Sequence, residues 1–133
     1  MRFGIISDIH GNFVALEAVL EELDHRGIDR LICLGDVVGY GPDSDLCLDV
    51  LAARDTITVA GNHEEALCRP EVAQCFNGVA RVAIDWTRNQ FITERPDLLR
   101  VVAELPGMAY LGEKIMCVHD TPAHCGGTGA MLF

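Results

Sequence analysis

Asp8 and His10 flank a single residue where a short apolar run, Phe3 to Ile6, gives way to Gly11-Asn12. In an extended segment residues two apart point to the same side, so carboxylate and imidazole can reach one point. An oxygen and a nitrogen donor converging there suit a borderline divalent cation such as zinc, iron or manganese. By itself the tripeptide is more often a pair of turn caps than a metal site. Three more apolar runs end in comparable residues: Arg30 to Leu34 in Gly35-Asp36, Thr56 to Ala60 in Gly61-Asn62-His63-Glu64, and Lys114 to Val118 in His119-Asp120. The intervals are regular, with 25 residues between His10 and Asp36 and 25 between Asp36 and Asn62.

The elements that must position these residues alternate. After the first run, Phe13, Leu16, Val19, Leu20 and Leu23 recur with helical spacing up to His25, while Glu17, Glu21, Glu22 and Asp24 cover the opposite face. Asn12 suits the N-cap, and Gly27 lies just past the end, where a left-handed cap belongs. The second run is continuously apolar, as a strand covered on both faces should be. Asp43 or Ser44 can cap a second helix to about Arg54 with Leu46, Cys47, Val50 and Leu51 inward, and Thr56 to Ala60 forms the third strand. This βαβαβ order implies an α/β fold with parallel strands, right-handed crossovers and covering helices. The first three motifs then emerge at the carboxyl edge of one sheet, where open α/β sheets bind ligands.

Further on, a short turn near Glu65 to Cys68 is broken by Pro70, and helices are expected over about 79–91 and 96–104. Ala80, Ala83, Ile84 and Thr87 make a packing seam in the first of these, with Trp86 and Phe91 as bulk. Pro106-Gly107 ends the helical part. Met108 to Leu111 and Lys114 to Val118 read as a β-hairpin around Gly112-Glu113. From Thr121 onward the glycines 126, 127 and 129 precede no Gly-Lys-Ser/Thr, so residues 123–133 are expected to be a tail rather than a phosphate loop.

Composition bounds the function. With 133 residues, half of them apolar, one domain over residues 1–122 is expected. A net charge of −10 repels a phosphate backbone and disfavours nonspecific nucleic-acid binding. No apolar run approaches membrane-spanning length, and the chain opens into a strand rather than a leader, so a cytoplasmic protein is expected. Six cysteines without a Cys-x-x-Cys pair fit reduced thiols better than a disulfide framework or a cysteine-based zinc site.

Asp8-x-His10, Gly35-Asp36, Gly61-Asn62-His63-Glu64 and the later His119 together resemble the signature of the calcineurin-like metallophosphoesterases. The stretch Gly35 to Pro42, with Trp86-Thr87-Arg88, resembles the small bacterial phosphoesterase branch. The Ser/Thr protein phosphatases have Gly-Asp-x-x-Asp-Arg-Gly at the first of these, and Gly39-Tyr40-Gly41 stands in place of that acid and its phosphate-binding arginine.

The resemblance implies the first half of the family's α/β sandwich and a pair of divalent transition metal ions (manganese, iron, zinc or nickel). Asp8 and His10 would hold one ion, Asn62 and His119 the other, with Asp36 bridging. A water activated between the ions would hydrolyse small phosphomonoesters or phosphodiesters. His63 would be the general acid beside the leaving group, and Glu64 a helix-start or supporting carboxylate rather than a ligand. Complete members carry a later Gly-His-x-His motif giving a histidine to each metal, and this sequence does not contain it. His124 is a candidate substitute, and Asp120 stands where the branch usually has glycine. A noncatalytic remnant that binds a metal or partner is the alternative. A nucleotide-binding α/β domain is disfavoured, because no Gly-x-Gly-x-x-Gly turn follows the first strand. A sheet made to be sandwiched exposes an apolar face, so a homo-oligomer is expected.

Overall fold

The computed structural model describes residues 1–120. The expected tail and His124 lie outside the described residues. Three short strands, β1 (Phe3–Ile6), β2 (Arg30–Cys33) and β3 (Ile57–Thr58), pair in the order β1-β2-β3. Both pairings are parallel, with Ile6 opposite Cys33 and Cys33 opposite Thr58. The crossovers are helices α1 (Phe13–His25) and α2 (Ser44–Ala53). α3 (Asn62–Cys68), α4 (Pro70–Ala73), α5 (Gly78–Glu94) and α6 (Pro96–Ala103) follow, then the antiparallel hairpin β4 (Met108–Leu111) and β5 (Ile115–Val118). The α/β architecture with a parallel sheet and a later hairpin is therefore present.

Alternation along β2 divides the core. Leu31 and Cys33 face the helices, joining Leu16, Leu20, Cys47, Leu51, Leu67 and Phe91 in the main cluster. Ile32 points the other way and packs with Val59 of the β3 segment and Cys117 of the hairpin. The hairpin thus covers part of the second face of the sheet and brings the end of β5 beside the end of β2.

α1 has the expected limits, because Asn12 accepts a hydrogen bond from the Ala15 amide at 3.1 Å. Val19 on this helix is nonetheless exposed. α2 is rotated from the expected face: Cys47, Leu48 and Leu51 are buried and Leu46 is exposed. β3 is shorter than expected, since the Val59 amide still bonds to Cys33 O but the Ala60 amide turns away to Pro106 O. The expected turn at 65–68 is the last part of α3, which begins at the motif itself. In α5 Phe91 is fully buried, whereas Trp86 is half exposed and is not core bulk. No helix among the described residues is long and apolar enough to cross a membrane.

A candidate dinuclear metal centre

The loops after β1 and β2 are laced together by backbone hydrogen bonds: Asp8 N to Gly35 O at 3.0 Å, His10 N to Asp36 O at 2.9 Å and Gly11 N to Val37 O at 2.8 Å. This lacing holds an unusual conformation. Asp8, His10 and Asp36 have φ of 56°, 49° and 54°, in the left-handed region that side chains with a Cβ rarely adopt. The convergence of Asp8 and His10 therefore does not come from strand alternation, as the sequence suggested. β1 has ended at Ile6, and the two residues converge through a left-handed turn that hydrogen bonds to the neighbouring loop stabilise.

Asp36 is the centre of the cluster. Its carboxylate is buried, and Oδ1 accepts a hydrogen bond from the His63 amide at 3.0 Å. Its Oδ2 lies 3.4 Å from His119 Nε2 and 3.8 Å from His10 Nε2, and that same nitrogen is 3.8 Å from Asp8 Oδ1. Two sets of donor atoms, each within 4.8 Å of one another, share this residue: Asp8, Asp36 and His119, and His10, Asp36 and His63. Asp120 belongs to neither set. Asn62 opens α3 next to Gly61, against which Asp36 packs so closely that a Cβ there would sit 2.2 Å from Asp36 Oδ1.

The donor set fits divalent ions. His119 Nδ1 bonds to Leu34 O at 2.7 Å and His10 Nδ1 faces Val38 O at 3.3 Å. A backbone carbonyl on one ring nitrogen fixes the tautomer and leaves Nε2 as the donor, which is how metal-ligating histidines are usually held. Without an ion, Asp36 is the partner of His119: its hydrogen bond, working against burial, raises that imidazole to about 9. Burial acts to raise Asp36, but hydrogen bonds from His119 and the His63 amide outweigh it and the carboxyl is lowered.

His63 is buried among rings, with centroids 4.5 Å from His10, 5.0 Å from Tyr40 and 4.9 Å from Phe76. Burial pushes its imidazole below the ordinary value while the Asp36 charge pulls it upward. Its Nδ1 is shielded from solvent, and no group among the described residues meets it with hydrogen-bond geometry.

Glu64 organises the whole turn. It is 1% exposed, and its Oε2 accepts from the Asp36 amide at 2.8 Å and the Gly61 amide at 2.7 Å, its Oε1 from the Val37 amide at 2.8 Å and the Val38 amide at 3.1 Å. Burial and the neighbouring Asp36 charge push this carboxyl upward, and the amides of Gly61, Val38 and Asp36 oppose them. Because N–H donors occupy both oxygens, the ionised form is the one this geometry accommodates. The sequence marked Glu64 as a helix-start carboxylate, and its reach back to Gly61 is half of a capping box.

The supporting roles of two residues were not read from the sequence. Ser44 Oγ accepts from the Gly39 amide at 3.2 Å, which ties the loop after Asp36 to α2. Arg88 of α5 caps α3, donating to Leu67 O at 2.8 Å and to Ala66 O, and pairs with Asp85 at 2.7 Å. Ser44 was read only as a helix cap and Arg88 only as part of a family motif; the contacts of Arg88 to α3 lie 21 and 22 residues away and have no local signal.

Residues 1–126 match the model of the calcineurin-like phosphoesterase family. The chain belongs to this family. It is 34% identical over 120 residues to an uncharacterised protein of Methanocaldococcus jannaschii, covering 90% of this chain and 49% of the relative. A shorter similarity, 40% over 63 residues, links it to serine/threonine-protein phosphatase 1 of Salmonella typhimurium, covering 46% of this chain and 29% of that one. Among solved structures, a metallophosphoesterase from Sphaerobacter thermophilus superposes with a TM-score of 0.66 at 37% identity, over 85% of this chain and 44% of the other. A protein provisionally described as a diadenosine tetraphosphatase gives 0.59 at 27% identity, over 80% and 44%. The chain thus spans no more than about half the length of these relatives.

Proposed function

We propose that this chain carries the metal-binding core of a phosphoesterase that hydrolyses small phosphomonoesters or phosphodiesters. The observation that supports it most is the sharing of one buried carboxylate, Asp36, between two clusters of nitrogen and oxygen donors. By the family resemblance Asp8 and His10 would hold one divalent ion and Asn62 and His119 the other, with Asp36 between them, whereas the donor atoms themselves group Asp8 with His119 and His10 with His63 around Asp36. Manganese, iron, zinc and nickel all suit such donors. Such a pair, when bound, supplies an activated water and neutralises charge on the phosphate oxygens.

The chain's own part is positional. The left-handed loops and the Glu64 fan hold Asp36 without freedom to swing, so the donors are set before any substrate arrives. His119 and His10 keep Nε2 free because Nδ1 is committed to a carbonyl. His63 belongs to the cluster with His10 and Asp36, and its Nδ1 is enclosed against Gly39, so a proton for the substrate would have to come from Nε2. In the role assigned here it gives a proton to the departing oxygen.

Free thiols at Cys33, Cys47, Cys68, Cys75 and Cys117 fit a reducing, cytoplasmic setting. Ile5, exposed on the sheet face that carries Ile32, supports self-association into a homo-oligomer, which light scattering measures.

The test of the reading is hydrolysis of an activated aryl phosphodiester with added Mn²⁺, alongside metal content. Asp36→Asn should lose both activity and metal, whereas His63→Ala should slow turnover with metal content nearly unchanged. Equal metal loss in the two variants would make His63 a ligand, as its place in one donor cluster allows. Metal bound without turnover in the parent chain would favour a noncatalytic binding module.

A further inference from the structure

Tyr40 sits beside the donor cluster and takes no part in it. Its ring is 4.9 Å from that of His10, edge-on at 86°, and 5.0 Å from that of His63 at 38°, yet the residue remains 48% exposed. One side of the phenol is therefore packed on the two imidazoles and the other is open. The opening is a cleft of about 620 Å³ that Tyr40 lines together with Asp8, His10, Asn12 and Pro42. That volume lies within the range of small-molecule sites.

The backbone is bent to put the ring there. Tyr40 has φ of 59°, a conformation that costs a side chain with a Cβ and none for glycine. Its neighbours enforce it. The Gly39 amide is held by Ser44, and the Gly41 amide bonds to His10 O at 2.8 Å. A Cβ on Gly39 would come 2.4 Å from His63 Nδ1. A strained, half-exposed aromatic residue fixed at both ends beside a reaction centre presents a rigid planar surface at little further entropic cost.

We infer that Tyr40 is a specificity-determining residue, whose ring stacks on a planar aromatic group of the ester, either an aryl group or a nucleobase. The inference rests on the phosphoesterase reading above and names the substrate class for that site. Tyr40 acts through binding and moves no proton. The aromatic group lies along the cleft wall while the phosphorus occupies the donor cluster.

The test compares the ratio of kcat/KM for p-nitrophenyl phosphate to that for glycerol phosphate, with Mn²⁺, in the parent chain and two variants. Tyr40→Gly adopts the observed φ without strain, and taking a ratio of two substrates cancels any general loss from the added freedom of three consecutive glycines. In it the aryl-to-alkyl ratio should drop about three- to tenfold, mainly through KM for the aryl ester. Tyr40→Phe, which keeps the ring, should retain the preference. A ratio unmoved in Tyr40→Gly overturns the inference. So does a drop of the same size in Tyr40→Phe, which would assign the effect to the hydroxyl. If the parent chain shows no turnover, the enzymatic reading fails separately. Calorimetric binding of adenosine monophosphate against ribose 5-phosphate then decides: tighter binding of the nucleotide that Tyr40→Gly abolishes supports the stacking role, and equal binding of the two ligands overturns it.

Discussion

Replacing Glu64 by glutamine changes one atom of a buried side chain and should cost a large share of the stability. The carboxylate receives four backbone N–H bonds, two on each oxygen. Glutamine keeps one oxygen and turns an NH2 group toward the other two donors, so either the pair at Asp36 and Gly61 or the pair at Val37 and Val38 loses its acceptor. Each buried donor left unsatisfied costs about 1–3 kcal/mol, which puts the loss from two at about 2–6 kcal/mol. Removal of a desolvated charge next to Asp36 offsets part of this, leaving a net loss of about 1–4 kcal/mol. Most single domains have about 5–15 kcal/mol in all. Urea unfolding followed by far-UV circular dichroism measures the difference, and the same variant should lose divalent-metal affinity because the Asp36 backbone is no longer clamped. A variant within about 0.5 kcal/mol of the parent would refute the claim that the ionised carboxylate organises this turn.

Gly61→Ala places a Cβ 2.2 Å from Asp36 Oδ1, so the carboxylate must move. Overpacking of this kind costs about 1–3 kcal/mol, and the larger expected effect is a loss of metal affinity read by calorimetry. Thiol chemistry should separate the cysteines. Burial pushes the Cys33 and Cys47 thiols up to about 12, so at pH 8 only about one part in ten thousand is thiolate, the nucleophilic form. Since raising pH generates thiolate only near that value, both should resist a disulfide reagent at pH 8 until the protein unfolds, whereas exposed Cys68 and Cys75 react in the native state; mass spectrometry of labelled peptides distinguishes them.

The positions of the strands and most helices were legible because each carries a local signal. Asn12 and Gly27 bracket α1, and the apolar runs stop at the residues that form the site. Of the residues that the family signature names at those strand ends, Asp8, His10, Asp36, His63 and His119 lie in the two donor clusters. Other features were hidden because they depend on contacts distant in sequence. Nothing in Ile6 to Asn12 announces left-handed conformations at Asp8 and His10; they exist because Gly35 O, Asp36 O and Val37 O accept from the amides of this loop. The face of α2 was misjudged by one step of the helix, since Leu46 and Leu48 are alike in sequence and differ only in what packs against them. Trp86 was assigned to the core on size, yet Thr87 beside it is the residue fully buried. The number of amides gathered by Glu64 likewise needed two separate loops, after β2 and after β3, to be seen together.

The central claim is that the buried Asp36 carboxylate holds divalent ions together with the donors around it. Titration of Mn²⁺ into the protein, followed by electron paramagnetic resonance, tests this without any assumption about substrate. Saturable binding with the broadened spectrum of two magnetically coupled ions is expected, with loss of that binding in Asp36→Asn. Binding of Mn²⁺ by Asp36→Asn with the parent's affinity and spectrum would contradict it.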